Sequence, residues 1–520
     1  MKELNIKQKV VVIYFLLLPL IDLITSLLTR FTNLPITLGT VIKGATLVAS
    51  IIYVIRFSNS KYKKITTIYM ALVAIFGIAY FLTKLDMLTI SNIIKELVLA
   101  FKYMYYPLML LSLMSIFDDL EITQNIIKKI VTINCISYSI LLIVPYITKT
   151  GFNSYYWSGF VGNNGWFYAA NETSAILLIL SSCILWLMDR TKKTKILFSI
   201  PILFSIMSIG TKVSFLGIIL VVILAILFYL IKNKTKDLIL PITLAIVLVL
   251  SIFTSSTLAN ANILINTNFD MTLDSNNKNP ISNDNPILRN PTSENNSDKK
   301  DPIINKDPII NEKPGINNNN KPNKGNNNSN INDNVSENEK EEPNNQSKPN
   351  QNNKFNQELN KYKLFDETSK FSKIFSGRLQ YFEKNFFVYK NSGIKNILFG
   401  ISWSNRENIN YTLERKLIEI DVIDIMIHYG IIGAIIYFIP TVYIILLFIK
   451  NIKMLDSESI YCLMVVALIF GVSTIAGHVL SAPAASIYMI LIMLLIETGM
   501  KNNEVIKERK SKCKVKKVKS

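Results

Sequence analysis

Apolar residues in this chain come in blocks of about twenty, the length at which a helix crosses a bilayer, and short charged connectors part the blocks. The blocks fall at residues 10–29, 36–55, 65–83, 93–117, 126–147, 168–188, 195–210, 212–231, 238–255, 424–449, 459–477 and 480–498. This pattern predicts an all-α, polytopic membrane helix bundle of about twelve spans, with a large loop before the last three. The first block follows the basic MKELNIKQK and lacks a small-residue cleavage site, so it reads as a signal anchor.

The polar stretches complete the organisation. Spans one to nine form a membrane domain over 1–255, and residues 256–355 are saturated with Asn, Asp, Lys, Pro and Ser, including KDPIIN twice at 300–311. Such a composition buries too little apolar surface to offset chain entropy, so disorder is expected there. Residues 356–423 regain aromatics, and SGRLQYFEKNFFVYKNSG (376–393) predicts an amphipathic helix. Ser376 is its N-cap, Leu379, Phe382 and Phe386 form the stripe, and Gly393 ends it. Such a helix either rests on the membrane surface or folds over the bundle with Arg378 turned inward. The last three spans fill 424–498, and 499–520 is a basic tail.

The net charge of +19 changes the picture only through its distribution. Basic residues gather in alternate connectors (Arg56 to Lys64, Arg190 to Lys195, Lys232 to Lys236, Lys450 and Lys453) and in the tail. That is the positive-inside pattern, which expects a multi-pass plasma-membrane protein with both termini cytoplasmic and the large loop extracytoplasmic. Membrane lipids, not nucleic acid, are the expected partners of the basic tail. The four cysteines have the spacing of neither a metal site nor a disulfide framework, and neither metal nor cofactor is expected.

Ionisable residues inside the spans mark candidate chemistry, because burying a charge in a bilayer is costly. Asp22 lies roughly 10 Å below the end of its span, and Lys43, Lys102, Asn171, Glu172 and Lys212 fall in the same half of the bilayer. Together they outline a polar cavity with a basic floor, suited to an anionic amphiphile such as a lipid-linked pyrophosphate. Taken singly, pairs such as Asp22 with Lys43 read equally as struts between helices. Where the loop re-enters, ERKLIEIDVIDIMIHYGIIG brings Glu419, Asp421, Asp424 and His428 to the mouth of a span. Carboxylates there either do chemistry or complement a helix dipole. His428 and His478 read as structural hydrogen-bonding groups.

Six segments in order (LPLIDLITSL, GWFYAANETSAILLIL, SIGTKVSFLGIIL, FSGRLQYFEKNFF with NILFG, IEIDVIDIMIHYGIIGAIIY and AGHVLSAPAASIYMI) resemble the O-antigen polymerase and O-antigen ligase-like proteins of bacterial surface-polysaccharide assembly. The resemblance covers the membrane domain and residues 370–435, not the Asn-rich insert. It implies a metal-independent glycosyltransferase that moves a glycan from undecaprenyl pyrophosphate to an acceptor hydroxyl, with basic residues on the pyrophosphate. Those map onto Arg378 and Lys212. Many ligase-like relatives carry a His shortly before the G-x-x-G; here Glu419 stands near that position, and Glu419 with Asp421 resembles the E-x-D form of Gram-positive-type polymerases.

Attack of a hydroxyl on an anomeric carbon needs a stabilised leaving group and a base for the proton. Arg378, Lys212 and Lys102 are the candidate clamp and Glu419 or Asp421 the base, with Asn171, Glu172, Asp22 and Lys43 as further substrate contacts. The expected function is polymerisation of lipid-linked repeat units into a capsular or O-antigen-like polysaccharide, alongside a flippase and a chain-length regulator. A ligase, a lipid-linked oligosaccharide transporter and a sensor with an extracellular segment are the alternatives.

Overall fold

The computed structural model describes residues 4–32, 36–85, 90–154, 162–184, 193–231, 245–246, 249, 378–402 and 418–519. They belong to one compact unit, 1–289 with 361–520; the Asn-rich insert and Ser376 lie outside the described residues. Among the described residues there are thirteen α-helices, and the only β feature is a bridge between Asn153 and Asn163.

In chain order the helices are α1 (Ile6–Phe31), α2 (Leu38–Arg56), α3 (Lys63–Leu82), α4 (Ile90–Asp119), α5 (Gln124–Ile147), α6 (Ala170–Leu180), α7 (Lys193–Ser208) and α8 (Lys212–Ile231). After the undescribed stretch come α9 (Arg378–Asn391), α10 (Ile394–Phe399), α11 (Asp421–Lys450), α12 (Ser457–Ala476) and α13 (Pro483–Lys519). Eight of these, α1–α5 and α11–α13, are long and apolar enough to cross a membrane. Within the span expected over 168–188, α6 stops at Leu180, where Ser181 turns its hydroxyl back to the Leu178 carbonyl; Cys183 and Ile184 are helical again, and 185–188 lie outside the described residues. The expected ninth span, 238–255, lies almost wholly outside the described residues.

Each helix forms for a local reason. A capping box opens α1, with Asn5 and Gln8 exchanging backbone-to-side-chain bonds of 2.8 and 2.9 Å. Ile13, Leu17, Val48, Ile75 and Leu446 stay exposed on the outer faces of their helices, the belt expected against lipid. The centre is α13, buried without interruption from Ile487 to Ile496 and packed against α4, α5, α6 and α12. A helix apolar all round belongs inside a bundle. Pro483 opens it, and it continues past the expected end at 498 through the basic tail, because no proline interrupts the ladder.

The two ends of the bundle are polar. At one, Lys501 meets Asp118 at 2.5 Å and Glu497 at 2.7 Å, while Tyr62 donates to Glu497 at 2.6 Å. At the other, α9 and α10 dock on α11. Leu379 is buried, Phe382 and Phe386 lie 5.3 Å apart, and Tyr389, Ile401, Ile418, Ile420 and Ile427 form a small second core. Lys84, 1% exposed, donates to Asn396 Oδ1 at 2.5 Å and to the Gly400 carbonyl, fastening α10 to the α3–α4 turn.

The docking breaks α11. Gly430 leaves helical geometry (φ 73°, ψ −176°), and a Cβ there would sit 2.3 Å from the Leu398 carbonyl oxygen. Gly400, also at positive φ, would strike the His428 carbonyl. Two backbones therefore touch directly, sealed by the Ile401 N–H donating to Ile427 O at 3.0 Å. Only glycine permits both the conformation and the approach.

Candidate active site

Chain re-entry sets the site. Residues 418–420 lead into α11, with Glu419 at φ 61° and Ile420 extended, and they lie against the turn between α12 and α13. Gly477 in that turn (φ 65°) would place a Cβ 2.3 Å from the Glu419 carbonyl oxygen. His478 follows, also at φ 61°. The turn and residues 418–420 thus lie backbone to backbone.

This contact separates the two acids. Asp421, 1% exposed, accepts four hydrogen bonds: from Ser473 Oγ (2.8 Å), the Val479 and Leu480 N–H groups (3.0 and 2.8 Å) and Ser481 Oγ (2.6 Å). Its carboxylate ties α11 to the α12–α13 turn. Asp424 is also buried, and its Oδ2 accepts the Glu419 N–H at 3.3 Å, a helix-end role. Glu419 points elsewhere. Its Oε2 lies 3.2 Å from Arg378 of α9 and 3.5 Å from His478 Nε2. Burial pushes the His478 pKa down, and the Glu419 carboxylate more than reverses this, so the net shift is upward. Arg378 is turned inward, its side chain 13% exposed.

Around this centre stand the other predicted residues. Lys212 opens α8 after Thr211, whose hydroxyl is shared between Ser174 (2.7 Å) and Ser214 (3.0 Å); Lys212 is exposed and feels the charge of Arg378. Glu172, in the first turn of α6, lies within electrostatic reach of both His478 and Lys102. Asn171 beside it is half-buried and is not among the residues lining the neighbouring cavity.

That cavity, ≈140 Å³, opens between α1, α2, α6 and the start of α13 and is lined by Asp22, Lys43, Lys102 and Glu172. Asp22 and Lys43 pair at 2.5 Å, and Tyr138 donates to the second Asp22 oxygen at 2.6 Å. Ser481, which also lines the cavity, donates to Asp421, so cavity and site share the α12–α13 turn. The structure therefore gathers seven of the nine predicted residues into two neighbouring groups: Arg378, Glu419 and Lys212, and Asp22, Lys43, Lys102 and Glu172 of the cavity; Asp421 is tied to the α12–α13 turn and Asn171 belongs to neither.

His478, read from sequence as structural, stands beside Glu419. The hint was a Gly-His pair in a break between two apolar blocks, followed by Ser-Ala-Pro. His428 is fully buried, stacked on Tyr103 with Nε2 3.4 Å from Glu96, whose carboxylate accepts from Tyr80 at 3.0 Å. It lies beneath the Gly430 break. Among the described residues no group of three His, Cys, Asp or Glu side chains is placed to hold a metal ion.

In comparisons with known proteins, no curated protein and no solved structure matches the chain. A family model described as O-antigen ligase like membrane protein matches residues 4–503.

Proposed function

This chain belongs to the O-antigen ligase-like membrane proteins, glycosyl-transferring enzymes of surface-polysaccharide biosynthesis, and we propose that within that family it is a polymerase. Its donor is an undecaprenyl-pyrophosphate-linked oligosaccharide and its acceptor a hydroxyl of a second lipid-linked repeat unit. The reading rests on one observation: Arg378, Glu419 and His478 converge where the large loop re-enters the bundle. The carboxylate near the position where ligase-like relatives carry a histidine favours polymerase over ligase.

In this reading Arg378 and Lys212 clamp the pyrophosphate. Cations already in place stabilise the charge that develops on the leaving group. The acceptor oxygen attacks the anomeric carbon. The bond from that carbon to the pyrophosphate oxygen breaks, with its electron pair leaving on the lipid pyrophosphate, and the hydroxyl proton passes to Glu419. Asp421, with four donors on its carboxylate, is the strut that positions Glu419. His478 and Arg378 fix the Glu419 side chain. The positive-inside pattern supports both termini in the cytoplasm and the site on the outer face, where a flippase delivers substrate and a chain-length regulator sets the stopping point.

The test is glycan length profiling in a deletion strain carrying Arg378→Ala. The expected result is single repeat units attached and no long chains. Wild-type chain lengths in that strain would refute the assignment.

A further inference from the structure

We infer that the cavity between α1, α2 and α6 is a sugar subsite, holding one uncharged pyranose ring of the glycan next to Glu419, while the pyrophosphate lies outside it. This rests on the polymerase reading for its role, but the binding claim stands on the cavity itself.

Charge comes first. The four charged side chains lining the cavity are two acids and two amines, Asp22, Glu172, Lys43 and Lys102. Lys43 is already bound to Asp22 at 2.5 Å, and Lys102 faces the charge of Glu172. A pyrophosphate would add negative charge to a wall whose amines are already offset. A neutral ligand meets no such penalty.

Hydrogen-bond polarity comes second. Thr25, Ser26, Thr29 and Thr173 line the cavity, and each donates its hydroxyl proton to a carbonyl one turn back: Ile21 (2.7 Å), Asp22 (2.7 Å), Thr25 (2.8 Å) and Ala169 (2.9 Å). A hydroxyl has one proton and two lone pairs, so what these four present to a ligand is acceptor capacity. Glu172 adds carboxylate acceptors. A phosphate has only acceptors to offer these four hydroxyls and the Glu172 carboxylate, whereas a sugar brings several O–H donors on one ring.

Size and shape agree. An empty cavity of about 150 Å³ admits one benzene ring, so ≈140 Å³ takes the six-membered ring of one sugar, with its substituents reaching into the cavity's mouth. Phe167 and Tyr168 also line it and give an apolar face for the ring's C–H groups. The position is right as well. Ser481 joins the cavity wall to Asp421, and Glu172 feels the charge of His478, so a ring here lies beside the proposed base.

The test uses the full chain purified in detergent. Glucose, galactose, N-acetylglucosamine, N-acetylgalactosamine and rhamnose are each probed by saturation-transfer NMR, and inorganic pyrophosphate by phosphorus line broadening. At least one sugar should bind. Thr25→Val and Glu172→Gln, both close to isosteric, should weaken it about tenfold, the effect of one lost hydrogen bond, and leave pyrophosphate broadening intact. Arg378→Ala should do the reverse. Thr29→Val replaces Thr25→Val if the latter elutes or melts abnormally. The inference fails if none of the sugars binds, if binding ignores both cavity variants, or if those variants abolish pyrophosphate binding. Sugar binding with these sensitivities, combined with long chains in an Arg378→Ala strain, would instead retain the cavity and refute the polymerase.

Discussion

Replacing Asp421 by asparagine removes a charge while keeping shape, which separates a strut from a base. In the native chain Oδ2 takes three of the four donors and Oδ1 takes Ser481. An amide oxygen at the Oδ2 position keeps three bonds, and Ser481 can turn to accept from the amide nitrogen. What is lost is charge assistance. Bonds to ionised groups contribute about 1.5–3 kcal/mol and neutral ones about 0.5–1.5. Three such bonds, less the relief of no longer burying a charge, give a destabilisation of about 2 kcal/mol. Asp421→Ala leaves two buried backbone N–H groups unpaired at about 1–3 kcal/mol each, and the two serines with them, so it should cost about 4 kcal/mol or more. Thermal unfolding in detergent, followed by tryptophan fluorescence, should rank wild type above Asn above Ala. Chain elongation in cells held at low temperature should survive Asp421→Asn and fail in Glu419→Gln, which should lose no more stability than Asp421→Asn. An Asp421→Asn protein that melts like wild type yet makes no chains would show that Asp421 does chemistry and refute the strut.

Three further outcomes follow from the geometry. Gly400→Ala and Gly430→Ala should each prevent α10 from docking and yield little folded protein, whereas Gly393→Ala, with open space but φ 83° and ψ 164°, should cost about 1–3 kcal/mol and still fold; fluorescence-detected gel filtration reads the difference. Labelled-histidine NMR on a His428→Gln background should find His478 titrating above about 6.5 and dropping toward or below that value in Glu419→Gln. Its raised pKa means the link to Glu419 is fully present below the unfolded value and fades as pH climbs past the native one. Asp22→Ala or Lys43→Ala alone should cost about 3–5 kcal/mol by stranding a buried charge, and replacing both with well-packed apolar residues should recover most of it, measured by melting the three variants side by side.

The membrane helices were legible because each is a local matter: twenty apolar residues, a cap and a basic end suffice to predict α1 or α2. So was the amphipathic face of α9, since Leu379, Phe382 and Phe386 recur at helical spacing. The break at Gly430 was not, because HYGIIG is a plausible helical stretch and the break is imposed by the backbone of α10, some thirty residues upstream. The division of labour between Glu419 and Asp421 was equally hidden. Spacing sets both acids at the helix mouth, but their roles depend on donors from 473–481 that meet Asp421 only when α12 and α13 pack. The end of α6 at Leu180 escaped for the opposite reason: apolar SSCILWL looks continuous although serines can close a helix locally.

Glu419 and His478 both hold left-handed backbone conformations without being glycine, a cost of order 1–3 kcal/mol each. The fold would rest more easily with glycine or asparagine at either position. Selections for heat-resistant or higher-yielding variants should therefore drift toward those residues and enrich proteins that are sturdier and inert. A stabilised version intended for work with substrate should fix these two positions before any screen begins.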